Sequence, residues 1–416
     1  MKKYGLILFI VLILLCFALL LIFIKRYVPG VYINNDFFDY YIGSRLFWLH
    51  KNIYGPNAEF VRLVQLYDLK FMWATGYSYL PFFAMIFYPF LFLSPQIAAL
   101  LWIVGNTFFY GLITYFISSR RKGRLKYITA FFMLTFMPCL YSISAGQINI
   151  LFLFLLYRYI YEDQAKGIYL GISSIFKIYP FMFFLKEILQ KRWKTIFVGF
   201  CSIAIFLTLP VIFDGGKNTL DYFLRVLPSL NNTPHTYYIN QSVNGVLSRL
   251  FSAVSKNDQI IIPQTTLVFM NVGISFIALC LLCLLTEFNK NNRALSLFWL
   301  GCLTLIAGKN SFWNFAPCVL IGIFLLDNWK QLTTIQKMAY IFSVFITNFA
   351  WNGVSYFERI IPVVHLAERL IYVVTSSLGF FALVIQLFLL KSFFIPRKPF
   401  FINRFFNINH VGVGKK

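Results

Sequence analysis

Long runs of apolar residues, separated by short polar connections, make up most of this 416-residue chain. Residues 5–24 carry no charge and are long enough to cross about 30 Å of hydrocarbon as a helix. Lys25 and Arg26 follow this run in place of a small-residue cleavage site, so we interpret it as a retained anchor rather than a signal peptide. Similar runs recur to residue 391, which predicts an all-α, polytopic membrane protein with a single domain over residues 1–391.

The positions of the apolar runs predict about twelve crossing helices, several of them short. They are expected at residues 5–24, 97–117, 127–143, 148–161, 167–177, 180–189, 195–213, 265–287, 294–308, 312–326, 338–354 and 367–390. An even number of crossings places the amino end, with Lys2 and Lys3, on the same side as the basic tail over residues 392–416. Lys-rich and Arg-rich flanks favour the cytoplasm, so we expect both ends there.

One further apolar stretch, residues 77–93, does not fit as a crossing. It is short and interrupted by Pro81 and Pro89. Counting it would also place the basic segment 120–126 outside, against the preference of Lys and Arg for the cytoplasmic side. We therefore predict that this stretch is a juxtamembrane helix or a re-entrant piece of the first outer loop.

The basic excess of the chain does not indicate nucleic-acid binding. The formal net charge is +23, but Lys and Arg concentrate in short loops, at residues 120–126 and 191–194, and in the tail. Such loops mark the cytoplasmic face and attract anionic membrane lipids. The outer loops, residues 25–96 and 214–264, are long, which indicates that the function lies on the outer face.

The remaining composition indicates the cellular location and limits the kinds of cysteine and metal site to expect. Richness in Phe, Ile, Asn and Lys is consistent with an AT-rich bacterial genome, so we expect a bacterial cytoplasmic (inner) membrane with the active site toward the periplasm. All seven cysteines lie in apolar runs, which favours packing over a disulfide framework. Two aspartates could hold a divalent ion, but nothing else completes a site of hard oxygen ligands. We predict no cofactor and no metal site.

Acidic residues are scarce, 14 in total, and two of them, Asp36 and Asp39, stand just outside the first predicted span. A carboxylate beside a bilayer is poorly solvated, unless a cation or a reaction requires it there. We therefore interpret residues 34–41 as a candidate reaction centre at the membrane surface. The alternative for Asp39 is an ion pair with Arg45 or a solvated position in the loop.

Further polar motifs are predicted to converge with Asp36 on the outer face. They are Tyr40-Tyr41, Asn52-Ile53-Tyr54-Gly55, Tyr77-Ser78-Tyr79-Leu80-Pro81, Gly146-Gln147-Ile148-Asn149, Lys177-Ile178-Tyr179-Pro180, and Asn240-Gln241-Ser242 followed by Arg249. Simpler interpretations exist for some of them. Gln147 and Asn149 could form hydrogen bonds that a turn needs, and Asn240 with Gln241 could cap a loop.

Lys177 lies between apolar neighbours, and Pro180 breaks the helix just after it. A lysine within a span costs several kcal/mol at mid-bilayer unless it is paired or reaches the interface. One interpretation is a lysine whose chain extends to the membrane surface. The other is a cation that faces a phosphate in a polar cavity, which the proline favours because broken helices are tolerated where they line a protein-enclosed cavity.

The motifs quoted above, in this order, resemble the polyprenol-phosphate-mannose-dependent α-mannosyltransferases, glycosyltransferase family 87 of the GT-C superfamily. The resemblance runs from about residue 30 to residue 325. Tyr79-Leu80-Pro81 stands where the family tends to show Tyr-Pro-Pro. Near the end of the match, Asn314 stands where the family often has a histidine, so the role of this position is open.

The resemblance implies a GT-C-like fold and a transfer reaction on the outer face. A hexose, mannose by inheritance from the family, moves from a polyprenyl-phosphate donor to a hydroxyl of a lipid or glycan acceptor with inversion. By motif position Asp36 is the general base. Lys177 is the first choice for the donor phosphate, with Arg249 and Arg45 as second choices. The expected sugar or acceptor contacts are Asp39, Tyr40, Tyr79, Gln147, Asn149, Asn240 and Gln241.

Two other classes of function stay open at this point. A flippase or transporter of lipid-linked glycans would move its substrate without changing covalent structure, and no internal repeat supports that class. A catalytically silent GT-C homologue would bind lipid-linked sugar as a scaffold, and the asparagine at position 314 leaves room for it.

Overall fold

The computed structural model describes residues 35–55, 57–67, 77–232, 240–251, 263–289, 293–308, 311–360 and 373–394. The predicted first helix at residues 5–24 and most of the predicted tail, from residue 395 onward, lie outside these ranges.

Within the described ranges the chain is helical, with isolated β-bridges instead of strands. The α-helices are α1 (Asn35–Trp48), α2 (Ala58–Leu66), α3 (Pro81–Ile86), α4 (Pro95–Ser119), α5 (Arg124–Leu134), α6 (Met137–Ser144), α7 (Asn149–Tyr161), α8 (Lys166–Phe176), α9 (Phe183–Leu189), α10 (Trp193–Asp214), α11 (Lys217–Asp221), α12 (Leu227–Asn232), α13 (Val243–Phe251), α14 (Gln264–Phe288), α15 (Arg293–Ile306), α16 (Val319–Asp327), α17 (Thr334–Ile360) and α18 (Leu378–Lys391). Short 3₁₀ segments occupy Tyr88–Phe92, Tyr179–Met182, Phe312–Cys318 and Trp329–Gln331, and a π-helical turn occupies Tyr222–Val226.

Among the described residues, three helices, α4, α10 and α14, are long and apolar enough to cross a membrane. Helices α5 and α6 together would make a fourth span, bent by 44°. The bend replaces the single helix predicted over residues 127–143, because Pro138 in the first turn of α6 has no backbone N–H to continue the helix. Shorter apolar helices accompany these spans, so the all-helical membrane fold is confirmed, while the count of about twelve crossings stays a prediction.

The apolar surfaces of the long helices are exposed where lipid would surround them. Phe197 and Ile212 on α10 are each 71 % exposed, and Phe269 on α14 is 77 % exposed. Large apolar side chains exposed in this way mark a face that meets lipid instead of water.

The helices connect two ends of the bundle that differ in charge. At the basic end, Arg120 at the close of α4 pairs with Glu162 beyond α7 at 2.9 Å. There too, Arg121 pairs with Asp327 at the close of α16, and the Arg293 guanidinium lies over the ring of Tyr161. The start of α1, the turn before α7, the end of α8 and the turn before α16 meet at the opposite end, which we call the polar end.

Helices α8 and α10 pack with their backbones close together along a seam of small residues. A Cβ added to Gly171 would lie 2.6 Å from the carbonyl oxygen of Gly199, and one added to Gly167 would lie 2.5 Å from that of Thr195. Glycines four positions apart are typical of closely packed membrane helices. This seam sets the position of the end of α8, and with it of Lys177.

The stretch 77–93, predicted as a juxtamembrane or re-entrant piece, forms α3 and the 3₁₀ segment Tyr88–Phe92. Six helical residues extend about 9 Å, so α3 is too short to cross a bilayer. Pro81 begins it, and Phe83 is buried between the rings of Tyr40 and Phe176. This short helix therefore supports α1 at the polar end.

Candidate functional site

Helix α1 presents both loop carboxylates on one side. Asp36 lies in its first turn, where the N-terminal end of the helix dipole stabilises negative charge. Asp39 follows three positions later, a spacing that makes two side chains neighbours on a helix surface. Both are partly exposed, whereas Phe37 and Phe38 between them are buried. The two buried rings fix the helix, and the carboxylates face the polar end.

Gln147 holds the Asp36 carboxylate. Its side-chain nitrogen donates a short hydrogen bond to Oδ2 of Asp36. The preceding Gly146 has a φ of +72°, a conformation that glycine adopts without strain, and its carbonyl accepts a hydrogen bond from the Trp102 indole at 2.7 Å. The Gly-Gln pair of the motif thus makes the tight turn that directs Gln147, only 6 % exposed, toward α1.

Two tyrosines surround the side-chain oxygen of Gln147. The Tyr79 hydroxyl donates to Gln147 Oε1 at 2.9 Å, and the Tyr40 hydroxyl lies 3.2 Å from the same oxygen. Burial raises the pKa of both phenols well above the usual value, so both stay protonated and able to donate. The tyrosines therefore orient the amide so that its nitrogen faces Asp36.

The Asn52-Ile53-Tyr54 motif supports this arrangement from behind. The Tyr54 hydroxyl donates to the backbone carbonyl of Tyr79 at 3.1 Å. The Asn52 amide donates to Asp221 at 3.1 Å, and the backbone N–H of Ile53 donates to Asn218 at 3.2 Å. We interpret this motif as a structural contact that attaches the first loop to α11. It supports Asp36 only indirectly, through Tyr79 and Gln147.

Lys177 lies at the C-terminal end of α8, directly before the 3₁₀ segment that contains Pro180. Its ammonium donates to Oδ1 of Asn314 at 2.5 Å, and the Asn149 amide donates to the same oxygen at 3.2 Å. Asn149 comes two residues after Gln147, whose amide holds Asp36, so the same turn is linked to both charged residues. The structure thus brings Asp36, Gln147, Asn149 and Lys177 together at the polar end.

Arg249, Asn240 and Gln241 form a separate buried junction. The Arg249 guanidinium donates to the carbonyl of Asn240 and to the hydroxyl of Ser377, each at 2.8 Å. The Gln241 amide donates to the carbonyl of Ser376 at 2.7 Å. These contacts join α13 and the residues before it to Ser376 and Ser377, which directly precede α18. Arg249 is only 1 % exposed, so a phosphate would reach it only after this junction rearranges.

Asn240 connects the junction to the Lys177 group through the backbone. It forms an antiparallel bridge with Ser311, whose carbonyl accepts a hydrogen bond from the backbone N–H of Asn314 at 2.8 Å. Arg45, by contrast, lies nine positions after Asp36, about 13 Å further along α1. Of the three cations considered for a phosphate, Lys177 is the one that the described contacts bring to Asp36.

Asn314 is the functional candidate that sequence reasoning left without a role. The signal was present, because the position aligned with a family histidine. Only the fold shows that its amide oxygen joins α7 to the end of α8. Among the described residues, no group of three or more His, Cys, Asp or Glu side chains is placed to hold a metal ion.

The model of glycosyltransferase family 87 matches residues 77–308, which is more than half of the chain. A search of curated proteins and a search of solved structures returned no match. The matched range includes Tyr79, Gln147, Asn149 and Lys177, and α1 with Asp36 precedes it.

Proposed function

The chain belongs to glycosyltransferase family 87, and from this we propose that it transfers a hexose, mannose, from a polyprenyl-phosphate-linked donor to a hydroxyl of a lipid or glycan acceptor. Family membership makes it a glycosyltransferase with a sugar donor and an acceptor. The lipid character of the donor accounts for the exposed apolar helices, since an isoprenoid tail stays in the bilayer while its phosphate and sugar meet water.

Asp36 is the general base in this proposal. The acceptor oxygen forms a bond with the anomeric carbon, and its proton passes to the Asp36 carboxylate. The bond between the anomeric carbon and the phosphate oxygen breaks on the opposite face, and polyprenyl phosphate leaves with the electron pair. One carboxylate then suffices, and the configuration at the anomeric carbon inverts.

Lys177 stabilises the leaving phosphate. Negative charge develops on the phosphate as the glycosidic bond breaks, and a cation already in place at that point lowers the barrier. The hydrogen bond of Lys177 to Asn314 at the broken end of α8 supports this role. Arg249 and Arg45 remain second choices, one within a buried junction and the other further along α1.

The sugar and the acceptor would lie against the remaining polar side chains. Asp39, partly exposed beside Asp36, is suited to accept hydrogen bonds from sugar hydroxyls. The tyrosines Tyr40 and Tyr79 and the amides of Gln147, Asn149, Asn240 and Gln241 complete the proposed contacts. Gln147 and Asn149 already orient the charged residues, so any sugar contact would be an additional bond.

The basic end of the bundle gives the proposed orientation. Arg120, Arg121 and Arg293 gather there, and concentrated Arg and Lys mark the cytoplasmic side. The polar end then faces the periplasm of a bacterial cytoplasmic membrane, with about twelve helices crossing between the two. Membrane lipids surround the exposed apolar faces.

One observation carries the proposal. A carboxylate and a lysine, both costly to place beside a bilayer, are held at the same end of the bundle, Asp36 by Gln147 and Lys177 by Asn314. The test is transfer of labelled mannose from polyprenyl-phosphate mannose by purified protein in nanodiscs, followed by mass spectrometry of the glycolipid products.

The Asp36→Asn variant should lose transfer by about 10²-fold or more, the usual contribution of a general base, while expression and membrane insertion are unchanged. Asp163→Asn is the matched control, because Asp163 is exposed at the opposite end and forms an ion pair there with Lys166. Retained turnover in Asp36→Asn would contradict the role of the base. Movement of intact donor across the membrane without transfer would instead indicate a flippase.

A further inference from the structure

Asp36 and Lys177, which lie at the polar end, are each hydrogen-bonded to a neutral amide. Gln147 donates to the Asp36 carboxylate, and Asn314 accepts from the Lys177 ammonium. Opposite charges attract strongly where water is scarce, and direct contact between Asp36 and Lys177 would neutralise both. Among the described residues, Lys177 nevertheless forms no direct ion pair, and its hydrogen bond goes to Asn314.

The Asn314 amide has a defined orientation. Its oxygen receives hydrogen bonds from two donors, the Lys177 ammonium and the Asn149 amide nitrogen. Both donors require an acceptor, so the oxygen and not the nitrogen of the amide must face Lys177. Asn149 is fully buried at the first position of α7, which fixes this pair against the core.

We infer that Asn314 is a positioning residue for Lys177, an uncharged acceptor that holds the ammonium at the phosphate subsite and keeps it from pairing with Asp36. This inference rests on the proposed function, since it explains how the base and the phosphate cation stay separately available. A neutral amide is suited to the task because it satisfies the ammonium without cancelling its charge. An aspartate in its place would form an ion pair and repel the phosphate.

The first test is a double-mutant cycle on ligand-free protein. Thermal unfolding in nanodiscs is compared for Asn314→Leu, Lys177→Met and the double variant. If Asn314 acts through Lys177, the second substitution adds little to the first, so the two effects are clearly non-additive. Additive effects would overturn the inference, and this readout needs no donor, sugar or acceptor.

The second test measures the dissociation constant of a polyprenyl phosphate without sugar. We expect Asn314→Leu to weaken binding about tenfold, the scale of one hydrogen bond to a charged group. Asn314→Asp, which keeps the shape and the acceptor, should weaken binding at least as much, because it adds negative charge. A purely structural role would leave the isosteric Asp variant close to wild type.

Asn328→Leu is the matched control, since Asn328 lies at the basic end and its amide donates to the carbonyl of Phe324. It should leave polyprenyl phosphate binding unchanged. If Asn314→Leu fails to fold, the Asp variant decides the outcome, and unchanged binding in that variant overturns the inference. If the first test shows coupling but the wild-type protein binds no polyprenyl phosphate, the role of Asn314 toward Lys177 is supported and the proposed donor is rejected.

Discussion

The amide of Gln147 donates a hydrogen bond to the carboxylate of Asp36 and so joins the start of α1 to the turn between α6 and α7. The two residues are 111 positions apart, and the bond depends on both the Gly146 turn and the two tyrosines on the amide oxygen. In the proposed reaction the basicity of Asp36 therefore depends on a residue in this distant turn, and substitutions of Gln147 should act through Asp36.

Gln147→Glu should shift the pH dependence of transfer. Two carboxylates facing each other share one proton, so Asp36 would lose its capacity as a base at neutral pH and regain it at higher pH. We expect the transfer rate at neutral pH to fall by about tenfold or more. The acid limb of the pH–rate profile should move to higher pH. Gln147→Leu is the control, because it removes the hydrogen bond without adding charge. An unshifted profile in the Glu variant would argue against the pairing.

Tyr79→Phe should reduce transfer moderately. The substitution removes the hydroxyl that donates to Gln147 at 2.9 Å but retains the ring. The lost bond corresponds to about 1 kcal/mol, or a few-fold change in rate, and the buried phenol stays protonated across the assay range, so the effect should not vary with pH. The control is Tyr88→Phe, which keeps the ring contact with Trp48. Equal rates for Tyr79→Phe and wild type would show that the amide needs no such support.

Gly171→Ala should destabilise the protein. The new Cβ would lie 2.6 Å from the Gly199 carbonyl oxygen and 2.7 Å from Ser202 Cβ, so α8 and α10 would have to separate. Overpacking of this kind costs about 1–3 kcal/mol. Gly105→Ala is the matched control on α4, where no atom lies within 4 Å of the added Cβ. Thermal unfolding in nanodiscs should show a lower midpoint for Gly171→Ala only, and equal midpoints would contradict the close seam.

Glu187→Ala should be strongly destabilising. Glu187 is fully buried at the basic end, where its carboxylate accepts from Tyr159 at 2.6 Å and pairs with Lys186 at 3.0 Å. Removing it leaves the buried Lys186 ammonium uncompensated, a loss of about 3 kcal/mol or more. Glu59→Ala, which breaks an exposed pair with Arg62, should change stability by less than about 1 kcal/mol. Similar unfolding midpoints for the two variants would count against this account.

Much of the helix pattern could be predicted from the sequence because lipid imposes long apolar runs. The span predicted at 97–117 is α4, extended to Pro95 because Ser94 caps it and proline suits the first helical position. The break within residues 127–143 was missed, although Pro138 was its signal. Short segments such as α8, about 16 Å long, leave the number of crossings undetermined by hydropathy alone.

The convergence of the candidate residues was predicted in part, and their roles stay predictions. The ordered motifs identified the family, and Asp36, Gln147, Asn149 and Lys177 meet at one end. The contact of Lys177 with Asn314 joins residues 137 positions apart, and it depends on how α7, α8 and the turn before α16 pack. The sequence around each of these residues does not indicate how distant helices pack. For the same reason, the burial of Arg249 of α13 against Ser377, just before α18, could not be predicted.

The glycine seam between α8 and α10 has a consequence for selectivity. Two backbones in close contact have few side chains between them that could rearrange, so a displacement of α8 would also require a displacement of α10. In the proposed function, Lys177, which directly follows α8, would then present its ammonium in the same position to every donor headgroup. Tolerance for acceptors of different size would have to come from other segments, and an isoprenoid tail could not slip between these two helices.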